Sequence, residues 1–148
     1  MHKNYNRRGK LKVAKLDHVA IRVKNLKEAS KFFSELFGME FTQLGEIPAM
    51  DVRSSIDPMG IELIEPLTPD GITAKTIEKA GEGLSLLSLK VTNLDEAAAE
   101  MKSHGIRIIG KIENPGVMRA LIFHPKDTYG VMIELIEYKE KHPIASLK

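Results

Sequence analysis

Two eight-residue stretches, 16–23 and 84–91, alternate between faces with a period of two, and an Asn follows each after one further residue. That alternation predicts half-buried strands, because successive side chains of a strand point to opposite sides of a sheet. After each Asn the period changes to that of a helix. "VKNLKEAS" at 23–30 and "VTNLDEAA" at 91–98 both place Asn at the N-cap with Glu three residues on, an imperfect capping box. The first helix sets Leu26, Ala29, Phe32, Phe33 and Leu36 on one side and meets Gly38; the second sets Leu94, Ala97, Ala98 and Met101 there and meets Gly105. Short β-like runs follow, at 39–44, 52–56 and 61–65 in the first half and at 106–109, 119–124 and 131–138 in the second. The last run of each half carries the same words, "ELIEP" at 62–66 and "ELIEY" at 134–138.

The pattern is therefore a duplication. The "NL" segments recur at a spacing of 68 residues and the "ELIE" segments at 72, so little has been inserted within a copy. Each copy reads βαβββ, giving an α+β chain of two tandem modules, 16–66 and 83–138. The connector, 67–82, opens on turn residues and carries a short helix over 73–80. Two four-stranded half-sheets with helices outside predict a curved mixed sheet around a cleft, where a ligand would sit. Residues 1–15 and 139–148 read as terminal extensions.

Composition narrows the class. The chain has 148 residues, 43% of them hydrophobic, enough for one real core. The absence of Cys removes thiolate chemistry and disulfides and fits a reducing, cytoplasmic setting. No apolar run approaches the roughly 20 residues of a membrane span. The net charge of +2 conceals a basic N-terminal arm with Lys3, Arg7, Arg8, Lys10, Lys12 and Lys15 and no acid. So short an arm reads as a solvated or subunit-clasping extension rather than a nucleic-acid site. Open sheet edges and apolar surface predict a homodimer.

Strand alternation then nominates the chemistry. Leu16, His18, Ala20 and Arg22 share one face of the first strand, while Val19, Ile21 and Val23 face the helix. Glu62 and Glu134 hold equivalent places in the two modules, and a twofold relation between modules makes them converge. Inward carboxylates are costly to bury unless a cation or shared proton satisfies them. His104 sits near a helix end, where a cation complements the dipole; His2 and His142 lie in the extensions.

The quoted repeats, with "LDHVAIRV", "ELIEPL", "ITAKTIEKAGEGL" and "FHPKDTYGVMIELIEY", resemble the vicinal oxygen chelate superfamily, most closely its methylmalonyl-CoA epimerase and glyoxalase groups, over residues 16–138. The resemblance implies a divalent metal ion in the cleft and proton transfer next to a carbonyl through an enolate-like intermediate. It assigns His18, Glu62 and Glu134 as metal ligands, Glu134 also as the catalytic base, and a small-molecule substrate such as a CoA thioester. Two departures stand out. The family's second His falls on Leu86 in "GLSLLSL", and the acidic loop of epimerases becomes "PAMDV" at 48–52, with Glu46 and Asp51 as the nearby acids. One imidazole and two carboxylates favour Mn²⁺, Co²⁺, Ni²⁺ or Mg²⁺ over Zn²⁺. The alternative is a metal-free binding or resistance protein of the same fold, with Leu84 and Leu86 lining an apolar pocket; His124 of "FHPK" is a further pocket candidate or a turn-shaping residue.

Overall fold

A computed structural model describes residues 11–139; the N-terminal arm before Leu11 and the tail after Lys139, with His2 and His142, lie outside the described residues. The elements alternate as the duplication requires: β1 (Val13–Arg22), α1 (Leu26–Phe37), β2 (Thr42–Ile47), β3 (Val52–Asp57) and β4 (Ile61–Pro66), then α2 (Ile72–Ala80), then β5 (Gly83–Val91), α3 (Leu94–Ser103), β6 (Ile108–Asn114), β7 (Met118–Phe123) and β8 (Met132–Glu137). Asn25 and Asn93 cap α1 and α3, their side chains accepting from the backbone N–H of Glu28 and Glu96. Such a cap supplies a partner to one of the donors a helix start leaves unpaired. Strand edges moved where pattern was weakest. β2 begins at Thr42 rather than 39, β6 at Ile108 rather than 106 and reaches Asn114, and β1 begins at Val13.

All eight strands form one mixed sheet in the order β2-β3-β4-β1-β5-β8-β7-β6. β1 runs parallel to β4 and β5 parallel to β8, while β1 and β5 are antiparallel and join the modules at the centre. The sheet curls so far that Met50, in a 3₁₀ turn (Pro48–Met50) after β2, rests against β6 at the opposite edge. A Cβ on Gly110 would stand 3.3 Å from its Sδ. The result is a curled half-barrel with three helices outside.

The two faces bury different things. Under α3 lie Val91, Leu94, Ala97, Met101, Phe123 and Leu135, and under α1 lie Val23, Leu26 and Leu63 with Ile21, Ala29 and Phe33. The concave face carries Ala20, Val52, Ile64, Leu86 and Ile122, with Ile47, Met50 and Met132 packed over them. Phe32, Leu36 and Phe37 of α1 remain more than half exposed, so only part of the predicted apolar stripe meets the sheet. Among the described residues no helix is long and apolar enough to cross a membrane.

Candidate metal and proton-transfer centre

The centre is built by a bulge. Along β1 the pairing passes from Leu16↔Leu89 to His18↔Ser88, leaving Asp17 as an extra residue. A bulge lets neighbouring side chains reach the same region instead of alternating. Asp17 and His18 are accordingly both buried, 9% and 8% exposed. Gly60 makes room for the bulge: its φ is 98°, and a Cβ there would stand 2.9 Å from the Asp17 carbonyl oxygen. Any side chain at that position would push β1 out of place.

Register then brings the carboxylates to His18. Ser88 pairs with both His18 and Glu134, and Ala20 pairs with Glu62. His18 Nε2 lies 3.2 Å from Glu62 Oε2 and 3.5 Å from Glu134 Oε1. Its Nδ1–H donates to Asp17 Oδ2 at 2.8 Å, and the Tyr138 hydroxyl donates to Asp17 Oδ1 at 2.6 Å. The Ser88 hydroxyl donates to Glu134 Oε1 at 2.6 Å, and the Ser54 hydroxyl donates to Glu62 Oε1. Thus every member of the cluster has a partner, as buried charge requires. Burial by itself would lower the His18 pKa. The hydrogen bonds to Asp17 and Glu62 and the charges of Glu62 and Glu134 outweigh it and hold the imidazole up at about 10. Burial raises Glu134, and raises Tyr138, whose bond to the Asp17 carboxylate adds to the effect.

Among the described residues no three His, Cys, Asp or Glu side chains are spread open around a shared centre ready to hold an ion. Here the three candidates are drawn into contact, as two carboxylates gather around a protonated imidazole. The donor set nevertheless suits a hard divalent cation. With Nδ1 committed to Asp17, the remaining imidazole donor is Nε2, and it faces two carboxylates. An ion and the Nε2 proton are alternative neutralisers of the same buried charge.

Other candidates fall in several places. Leu86 is buried on the concave face beside Ala20 and Ile122, as expected for the counterpart of His18 in the second module. Leu84 does not join it. A second bulge makes Ser85 the extra residue of β5, so Leu84 pairs with Ile21 on the α1 face and is 71% exposed. The bulge at Asp17 likewise moves Leu16 off the His18 face; it pairs with Leu89 and is 57% exposed. Arg22 is turned to the connector, donating to the carbonyls of Gly81 and Leu84. His124 shapes a turn, its Nδ1 accepting from the Lys126 N–H at 3.1 Å. His104 pairs with Glu100 at 3.0 Å. Neither loop acid reaches the cluster: Glu46 pairs with Arg53, while Asp51, at φ 53°, accepts from Thr68 at 2.6 Å. Gly71 admits that carboxylate, since a Cβ there would meet Asp51 Oδ2 at 1.7 Å. Ser54, Ser88 and Tyr138 were invisible to motif reading, although their phase on the strands was readable.

The curled sheet of paired βαβββ modules, with a His and two Glu on its concave face, defines a class. The chain belongs to the glyoxalase/bleomycin resistance protein/dioxygenase superfamily, whose family model matches residues 17–123. Among individual relatives it is 31% identical over 130 residues to the mitochondrial methylmalonyl-CoA epimerase of Homo sapiens, covering 83% of this chain and 73% of the relative. It is 30% identical over 132 residues to an ethylmalonyl-CoA/methylmalonyl-CoA epimerase of Cereibacter sphaeroides, 83% of this chain and 97% of the relative. The crystal structure of methylmalonyl-CoA epimerase from Mycobacterium tuberculosis superimposes with a TM-score of 0.78 at 29% identity, covering 93% of this chain and 95% of that one.

Proposed function

We propose that the protein is a divalent-metal-dependent isomerase or lyase that moves a proton next to the carbonyl of a CoA thioester or a related oxo acid. The observation that carries this reading is the convergence of His18, Glu62 and Glu134 on one buried point of the concave face. Kinship with proteins described as methylmalonyl-CoA epimerases supports the substrate class. His18 Nε2 and the carboxylates of Glu62 and Glu134 would hold the ion. When bound, the ion supplies a Lewis acid that stabilises the oxyanion developing on the substrate.

Glu134 is the residue assigned to accept the proton. Its burial raises its pKa, which suits a base that must also return the proton. Ser88 fixes one of its oxygens and thereby its orientation. Inversion at the carbon needs a second group to deliver a proton from the opposite face, and Glu46 and Asp51, both engaged elsewhere, are not assigned that role. Ile47, Met50 and Met132 pack over the floor and help to exclude water from it. The alternative, a metal-free binding protein, is favoured by one observation: Leu86 puts an apolar side chain at the second-module counterpart of His18.

Thermal melting separates the two. Mn²⁺, Co²⁺ or Ni²⁺ at millimolar concentration should raise the melting temperature, since an ion at 100 times its Kd adds about 2.7 kcal/mol to the native state. His18→Ala should abolish the shift. No shift with any of these ions would replace the enzyme with the binding protein.

We further infer a homodimer. The exposed aromatic and aliphatic groups of α1, Phe32, Leu36 and Phe37, support this assembly, because apolar groups clustered on a surface favour association. Sedimentation velocity at micromolar concentration should give a mass near twice 16.5 kDa; a monomer would remove the dimer and leave the site assignment intact.

A further inference from the structure

We infer that Asp17 and Tyr138 are positioning residues that hold the His18 ring with Nδ1 protonated and Nε2 turned toward Glu62 and Glu134. The inference rests on the metal-dependent reading above for its consequence, but not for its geometry. Tyr138, just past β8, donates to Asp17 Oδ1 at 2.6 Å across a separation of 121 residues, and Asp17 Oδ2 accepts from His18 Nδ1 at 2.8 Å. Asp17 and Tyr138 are both buried, and Tyr138 is fixed further by Lys90, whose ammonium lies 3.9 Å from the ring centroid. A carboxylate held at both oxygens cannot rotate without breaking a buried hydrogen bond. It therefore sets the plane of the imidazole and leaves Nε2 as the nitrogen whose proton an ion would replace.

The duplication offers an internal comparison. The bulges at Asp17 and Ser85 are related by the same pseudo-twofold axis: Leu16↔Leu89 and His18↔Ser88 on one side of the axis correspond to Leu84↔Ile21 and Leu86↔Ala20 on the other. The counterpart of the set Asp17, His18 and Tyr138 is then Ser85, Leu86 and Pro66. One copy has all three groups of the relay and the other has none. If Asp17 and Tyr138 served only to stabilise the bulge, the second bulge would need equivalents, and it forms without them. Their presence tracks the imidazole instead.

Asp17→Asn and Tyr138→Phe test this. Asn replaces the anionic acceptor of the Nδ1 proton with a neutral amide, whose NH₂ can instead face Nδ1, so the ring loses the contact that keeps the proton on Nδ1 when an ion takes Nε2. Phe preserves the ring over which Lys90 lies and removes only the hydroxyl. In chelator-treated protein, the wild type should show a slowly exchanging imidazole proton on His18 Nδ1 by ¹⁵N-resolved NMR. The Nδ1 proton should exchange faster in both variants, most of all in Asp17→Asn. In calorimetric titrations with Co²⁺, Asp17→Asn should bind about 10- to 100-fold more weakly, and Tyr138→Phe should lose less. An unchanged Nδ1 proton and unchanged Co²⁺ affinity in folded Asp17→Asn would overturn the inference. If Asp17→Asn does not fold, Tyr138→Phe decides it: exchange as slow as in the wild type overturns it. Failure of the wild type itself to bind Co²⁺ would sink the metal-dependent reading, while the NMR comparison in metal-free protein still decides the positioning role.

Discussion

Replacing Leu86 by His should tighten divalent-metal binding by about tenfold, because an additional imidazole would join the three protein donors proposed for the ion. Leu86 lies on the concave face, paired with Ala20 and Met132, at the position related to His18 by the central twofold. The substitution puts a polar ring into an apolar floor, so the metal-free variant should lose about 1–3 kcal/mol. Added Co²⁺ should restore the melting temperature, and a change in its visible absorption would report nitrogen coordination. Ser85 sets a limit on the gain. The new ring would have no carboxylate at its side corresponding to Asp17, so its tautomer would be unconstrained. The double variant Ser85→Asp/Leu86→His should therefore bind more tightly than Leu86→His alone. A Leu86→His protein that loses stability and gains no affinity would mean that position 86 does not face the ion.

Raising the pH of metal-free protein from 7 to 10 should lower its stability by several kcal/mol, the order given by a shift from 6.5 to about 10 in one group. The sign follows from His18. Its pKa is raised on folding, so its contribution is complete below pH 6.5 and is lost as the pH climbs through about 10. Glu134, also raised by burial, works in the same direction. Metal changes the sign. An ion at Nε2 replaces the imidazole proton, so apparent affinity should rise about tenfold per pH unit from 7 until His18 titrates. Urea unfolding with chelator at several pH values, set beside Co²⁺ titrations at the same values, reads both slopes. A melting temperature that stays level from pH 7 to 10 in chelated protein would show that His18 is not cationic there.

The two largest effects share one cause, a cluster holding more negative charge than its single imidazole offsets. Asp17, Glu62 and Glu134 surround His18, and the hydroxyls of Ser54, Ser88 and Tyr138 hold the carboxylates in place. Such an assembly is expensive to bury and is retained where a cation, proton or substrate makes use of it.

Much of this was determined by the sequence alone. Helix caps are local, so Asn25 and Asn93 announced α1 and α3. The repeated "ELIE" placed Glu62 and Glu134 as equivalents, period-2 alternation put His18 and Ala20 on the concave side, and the repeat made Leu86 the counterpart of His18. What only the tertiary structure decided begins at the two bulges. A bulge is a property of a strand pair, created where the register between β1 and β5 slips by one residue, and no pattern within either strand encodes it. The slip at Asp17 carried Leu16 off the site face and brought Asp17 beside His18; the slip at Ser85 turned Leu84 out of the pocket that alternation had assigned to it. Glu46 and Asp51 were undecidable for the same kind of reason, since a loop carboxylate goes to whichever partner the fold brings near, here Arg53 and Thr68. Tyr138 reaches Asp17 only because β8, of the second module, lies next but one to β1 of the first, with β5 between them. Local periodicity selects faces, but contacts between residues 121 apart exist only once the sheet has closed.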